Sequence, residues 1–131
     1  MSCRLGSIHF INSLPVDLGI LNGAVPLDAQ MIQGSPAELN TKILSGGLDM
    51  SPVSTFVYAD HQREFLLLPD LSISSKSGVQ SVLLFSRVKF KELDGGRIAV
   101  TGKGRTTPIL LEILCRLRYG GSAHQRGFAI Y

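Results

Sequence analysis

The first 61 residues alternate apolar runs with capped, helix-like segments, and this alternation limits the fold more than any other feature. Residues 3–11 read as a strand. Residues 13–22 read as a helix with Leu14, Leu18 and Leu21 on one face. Asn22-Gly23 supplies its stop. Residues 27–33 read as a second strand, set off by Pro26 and by Gly34. In Ser35-Pro36-Ala37-Glu38, Ser35 is an N-cap, Pro36 takes the first helical position and Glu38 completes a capping box. Leu39, Ile43 and Leu44 form that helix's apolar face, and Gly46-Gly47 ends it. A short strand over 48–53 leads to a helix capped by Ser54 and running to His61. Strand and helix in alternation predict an α/β fold with a parallel sheet and helical crossovers.

The later sequence is less regular. An apolar run at 65–68 precedes a hydroxyl-rich stretch at 71–78, and residues 79–85 read as a strand. A helical turn at 90–93 ends at Asp94-Gly95-Gly96, and residues 97–101 form another strand. Gly102-Lys103-Gly104-Arg105-Thr106-Thr107-Pro108 then opens a helix over 109–117, with Thr107 as N-cap and Pro108 at the first position. Residues 120–131 carry no clear period and read as a terminal strand or a frayed tail.

Two places suit a small anion. Asn12-Ser13-Leu14-Pro15 lies where a strand hands over to a helix, at the carboxyl end where open α/β sheets bind ligands. Free amides and the helix dipole favour a carboxylate or phosphate there; an ordinary capped helix explains the same residues. The turn at 102–107 offers helix amides, two hydroxyls and two cations, but it does not match a P-loop. The serines at 72–77 suit either an oxygen-rich ligand or a solvated hairpin.

The totals exclude several classes. The chain has 131 residues, of which 44% are hydrophobic and 18% charged, enough for one modest domain with a core. No apolar run is long enough to span a bilayer, and without a basic flank before a continuous apolar core the N-terminus is not expected to be a secretory signal. Cys3 and Cys115 lack a CxxC neighbour, and His9, His61 and His124 lack ligand spacing, so neither a disulfide nor a metal is expected. A cytoplasmic protein is the expectation. From Arg87 onward nine Lys or Arg face three acids, within a net charge of +3. No aromatics interleave with these cations, so a solvated basic face or an anionic small molecule is expected rather than nucleic acid.

Several segments together resemble the chorismate dehydratase family of menaquinone biosynthesis, which acts first in the futalosine route. They are Arg4-Leu5-Gly6, Ile11-Asn12-Ser13-Leu14-Pro15 and Ser35-Pro36-Ala37-Glu38-Leu39-Asn40. Leu48-Asp49-Met50-Ser51-Pro52-Val53-Ser54, residues 66–74 and Gly78-Val79-Gln80-Ser81-Val82-Leu83-Leu84-Phe85-Ser86 complete the set. The likeness runs over residues 4–119. The related family that cleaves cyclic dehypoxanthine futalosine carries a Cys-Pro-Asn-Asp-Thr-like turn near its start, which Asn12-Ser13-Leu14-Pro15 does not fit.

The resemblance implies a type II periplasmic-binding-protein-like fold, two α/β lobes closing on a ligand. Residues 1–95 would form lobe one without its returning C-terminal segment, 96–119 would start lobe two, and 120–131 would be a divergent tail. Family members are longer, so a truncated or fragmentary form, inactive by itself, is expected. The implied reaction removes water from chorismate, giving 3-[(1-carboxyvinyl)oxy]benzoate, and needs no cofactor. The resemblance marks Asn12 and Ser81 as catalytic. Ser13, Ser54, Thr106 and Thr107, at helix starts, are expected to bind substrate. None of these is a base near neutral pH, so a substrate carboxylate is expected to take the C3 proton while Asn12 orients it. His9 is a rival base. A small-anion solute-binding module of the same fold is the alternative function. Chorismate is the expected partner, with self-association through the exposed incomplete lobe.

Overall fold

The computed structural model describes residues 2–93, 97–101, 104–119 and 128–130. The chain divides into two units, Met1–Ser74 and Ser75–Tyr131.

In the first unit β1 (Cys3–Ile8) and β2 (Ala29–Gly34) pair in parallel, with Cys3 opposite Ala29 and Ile8 opposite Gly34. Helix α1 (Leu14–Leu21) lies between them in sequence, the crossover that a parallel pair requires. It ends at Asn22, and Gly23 then takes φ 75°, a left-handed conformation that costs glycine little. β1 stops at Ile8 rather than at residue 11, because the chain folds into a turn in which the Ser13 N–H donates to the Phe10 carbonyl at 2.9 Å.

The expected third strand at 48–53 is reduced to one parallel bridge, Leu5 with Met50, on β1. The Gly6 N–H donates to the Met50 carbonyl at 2.8 Å, and the Asp49 N–H donates to the Arg4 carbonyl at 3.0 Å. Pro52 has no N–H and cannot extend the ladder. A Cβ on Gly6 would overlap the Ser51 side chain and crowd Leu48, so only glycine lets β1 come this close.

Helices α2 (Pro36–Leu44) and α3 (Thr55–Asp60) follow their caps as the sequence predicts. The Ser35 hydroxyl accepts from the Glu38 N–H at 3.3 Å, and the Glu38 carboxylate accepts from the Ser35 N–H at 2.7 Å. Leu39, Leu48 and Val57 are the buried apolar residues of this unit. Leu14, Leu18 and Leu21, expected on one face of α1, are 39%, 48% and 47% exposed, and the buried residue of α1 is Asp17. Periodicity finds the apolar stripe, but among the described residues little covers it.

In the second unit β3 (Ile98–Val100) pairs in parallel with β4 (Phe128–Ile130), and α4 (Thr106–Tyr119) lies between them in sequence. Ile98 and Cys115 are buried. A 3₁₀ turn covers Phe90–Leu93. Residues 79–85 do not form the expected strand. They are exposed and pair with no strand among the described residues, and an apolar run becomes a strand only where a neighbour takes its N–H and C=O groups. Helix α4 starts at Thr106, so Thr107 is helical instead of capping, and Pro108 still falls in the first turn, where its missing N–H is tolerated. The expected stop at 94–96, Gly102-Lys103 of the basic turn and residues 120–127 of the tail lie outside the described residues. Both units are thus βαβ in order, and the chain is mixed α/β with small parallel sheets.

Candidate functional site

The turn from β1 to α1 gathers most of the buried polar residues among those described. Ser7, Ser13 and Asp17 are 2%, 2% and 6% exposed, and the remaining buried polar residue among those described is Asn40. The Ser7 hydroxyl donates to the Asp17 carboxylate at 2.6 Å, joining the end of β1 to the first turn of α1. A cavity of about 340 Å³ opens beside them, walled by Ile8, Phe10, Leu14 and Leu21 with Ser7, His9, Asp17 and Gln33 as polar lining.

Asn12 is exposed within the turn. Ser13 occupies the N-cap position but makes no side-chain capping bond. Its φ of −92° and ψ of −19° are already helical, whereas a capping side chain acts from the extended region. Pro15, second in the helix, has no N–H to donate. The first turn is held instead by the Ser13 carbonyl, which accepts from the Val16 N–H at 3.0 Å. The Ser13 Oγ is buried and has no hydrogen-bond partner among the described residues. A hydroxyl in that state is uncommon and asks for an explanation.

Ser54, the other expected binding serine of this unit, is joined to α2. The Asn40 amide donates to the Ser54 Oγ at 3.3 Å, and the Ser54 N–H donates to the Asn40 Oδ1 at 3.3 Å. In the second unit Ser81 is exposed on the irregular segment, Thr107 is exposed in the first turn of α4, and the Thr106 Oγ1 is buried without a partner among the described residues. His9 is exposed and meets Phe10 edge-on at 5.9 Å.

Elsewhere in the first unit the charges hold the backbone. Arg4 grips Asp49 by its Nη2 at 2.7 Å and its Nε at 3.0 Å, and the Arg4 N–H donates to the same carboxylate at 2.8 Å. The Arg4 side-chain and backbone bonds hold the Asp49 carboxyl down to about 2, and the Arg4 guanidinium is raised in turn. The Ser35 N–H and hydroxyl lower Glu38 in the same way. No group of three His, Cys, Asp or Glu residues that could hold a metal occurs among the described residues. No helix there is long and apolar enough to cross a membrane.

A family model described as menaquinone biosynthesis matches residues 3–126. The chain belongs to this menaquinone biosynthesis family. It is also 35% identical over 97 residues to the chorismate dehydratase of Thermus thermophilus. The aligned part is 74% of this chain and 35% of that protein, so the chain spans about a third of the length of its relative. The family match reaches residue 126, seven residues beyond the 119 expected from the motifs.

The segments that carry the family pattern are largely the stitching of the first unit. Arg4-Leu5-Gly6 and Leu48-Asp49-Met50-Ser51 meet through the Arg4–Asp49 pair, the Leu5–Met50 bridge and the close approach at Gly6. Ser35-Pro36-Ala37-Glu38-Leu39-Asn40 closes its own cap and reaches Ser54. Of the first-unit motifs, the one around Asn12 ends in an exposed amide and an unpartnered hydroxyl. The buried Ser7–Asp17 pair was not anticipated. Its signal was an acid placed between the apolar residues of α1, three and four positions from Leu14 and Leu21.

Proposed function

We propose that this chain carries part of a hydro-lyase that dehydrates chorismate to 3-[(1-carboxyvinyl)oxy]benzoate. The observation that carries this reading is the 35% identity to a chorismate dehydratase, inside a family match covering residues 3–126. The reaction removes the C3 hydrogen and the C4 hydroxyl as water and leaves an aromatic ring. In this proposal Asn12 orients a substrate carboxylate, which accepts the C3 proton, and stabilises the charge that develops. Ser81 acts with it, and Ser13, Ser54, Thr106 and Thr107 bind the substrate. The dipole at the start of α1 supports the assignment, since it favours a carboxylate beside Asn12. No cofactor takes part.

The wider parts of the proposal follow. The fold is periplasmic-binding-protein-like, with lobe one over 1–95 and the start of lobe two from residue 96, where the family match continues to residue 126. The biosynthetic family supports a cytoplasmic place of action. The chain alone is inactive, because it covers 35% of the relative's length. It self-associates through apolar residues left in water, Ile11 at 83% and Phe85 at 86% exposure among them.

The test is a chimera in which this chain replaces the aligned segment of the Thermus thermophilus enzyme, assayed by absorbance of the benzoate product. Turnover by the chimera is expected, and Asn12→Ala should lower it by roughly 10²–10³, as loss of one positioned polar donor commonly does. Normal turnover in that variant would remove Asn12 from the site. A folded chimera that binds chorismate without converting it would favour a small-anion-binding module.

A further inference from the structure

We propose that Ser7 and Asp17 are a positioning pair that holds the Asn12–Ser13 turn closed for substrate; its functional meaning rests on the reading just given. Asp17 is tied at two points. Its carboxylate accepts from the Ser7 hydroxyl at 2.6 Å, and its N–H approaches the Ser13 carbonyl at 3.4 Å. The first tie reaches back to the last turn-proximal part of β1, and the second reaches the residue after Asn12. Together they close a short loop of chain with Asn12 on it, and the Ser13 N–H to Phe10 carbonyl bond at 2.9 Å braces that loop from within.

The energetics favour a positioning role over a purely stabilising one. An acid in the first turn of a helix gains from the dipole while still in water. Burying the carboxylate adds a desolvation cost that a hydrogen bond only offsets. An apolar residue at position 17 would extend the stripe of α1 and pack on β1 without that cost. What only the acid supplies is a fixed, directional link from β1 to α1 across the turn. Asn12 is exposed and has no such link of its own among the described residues, so its placement depends on residues that flank it.

The test uses the whole chain and amide hydrogen exchange by NMR. Asp17→Ala and Ser7→Ala should speed exchange at Ser13 and Val16 about tenfold relative to β2. Ser7→Thr, which keeps the hydroxyl, should restore protection. Asp49→Asn serves as a control that loses a pairing outside the turn, and it should leave the ratio unchanged. Equal changes in all variants would overturn the proposal, because the pair would then act only on global stability. The chimera separates function from geometry: Asp17→Ala should lower kcat for chorismate by tenfold or more with Tm matched to the control. Unchanged kcat there, with a loosened turn, would overturn the positioning role. If the unsubstituted chimera lacks turnover, the functional reading fails, and the exchange ratio alone decides whether the pair holds the turn.

Discussion

Two leucines that look alike in the sequence should behave very differently when truncated. Leu39 and Leu18 each sit on the apolar stripe of a helix, yet Leu39 is 0% exposed and Leu18 is 48% exposed. Leu39→Ala removes three buried carbons, about 2.4 kcal/mol of transfer free energy at ~0.8 kcal/mol per methylene. The cavity left behind raises the cost to roughly 3–5 kcal/mol. A unit the size of residues 1–74 has about 4–11 kcal/mol in total by the usual per-residue range. With Leu39, Leu48 and Val57 as its buried apolar residues, this one belongs near the lower end. Leu39→Ala should therefore leave the unit partly unfolded at 25 °C. Leu18→Ala deletes atoms already half in water and should cost under about 1 kcal/mol. Urea titration by far-UV circular dichroism measures both. Equal losses, or a larger loss for Leu18, would refute the account of where the core lies.

The remaining expectations concern pH and association. Asp49 titrates at about 2 in the folded chain against 3.8 for the free residue, so its pairing with Arg4 contributes stability above about pH 4 that is lost as pH falls through 2. Urea midpoints should fall over that window in the natural chain and less steeply in Asp49→Asn; equal slopes would assign the acid sensitivity elsewhere, with Glu38 the next carboxylate of the same sign. Sedimentation velocity should show the chain heavier than a 14.2 kDa monomer at micromolar concentration, and Leu18→Lys should move it toward monomer. A monomer at every concentration would remove self-association.

Local signals carried furthest where the physics was local. The cap at Ser35, Pro36 and Glu38 forms as its spacing dictates, because each partner lies within one helical turn. The Asn22-Gly23 stop is equally local. The parallel pairing of β1 and β2 followed from alternation alone, since two strands joined through a helix cannot form a hairpin. Three readings failed for want of long-range information. Residues 79–85 have strand composition but no paired neighbour among the described residues, and composition says nothing about neighbours. The stripe of α1 was visible, but not that Asp17 would be its buried member. Asn12-Ser13 carried cap residue types, but the turn braced on Phe10 puts Ser13 in helical geometry and takes its hydroxyl away from the amides.

That misplaced hydroxyl gives the sharpest separation of a structural from a functional serine. Were Ser13 a working cap, Ser13→Ala would destabilise the chain by about 1 kcal/mol. Its Oγ instead lies buried without a partner among the described residues, and an unsatisfied buried hydroxyl costs roughly 1–3 kcal/mol. Ser13→Ala should therefore leave stability unchanged or raise it by up to about 1 kcal/mol. In the proposed function the same hydroxyl meets the substrate, so the variant should lose affinity for chorismate in the chimera by about tenfold, the effect of one neutral hydrogen bond of ~1.4 kcal/mol. Stability and binding then move in opposite directions, as they do where a site is kept at some cost to the fold. Thermal melts of the chain and titration of the chimera with chorismate read the two quantities separately. A lower melting temperature with unaltered affinity would return Ser13 to the cap, and higher stability with unaltered affinity would remove its hydroxyl from the substrate contacts.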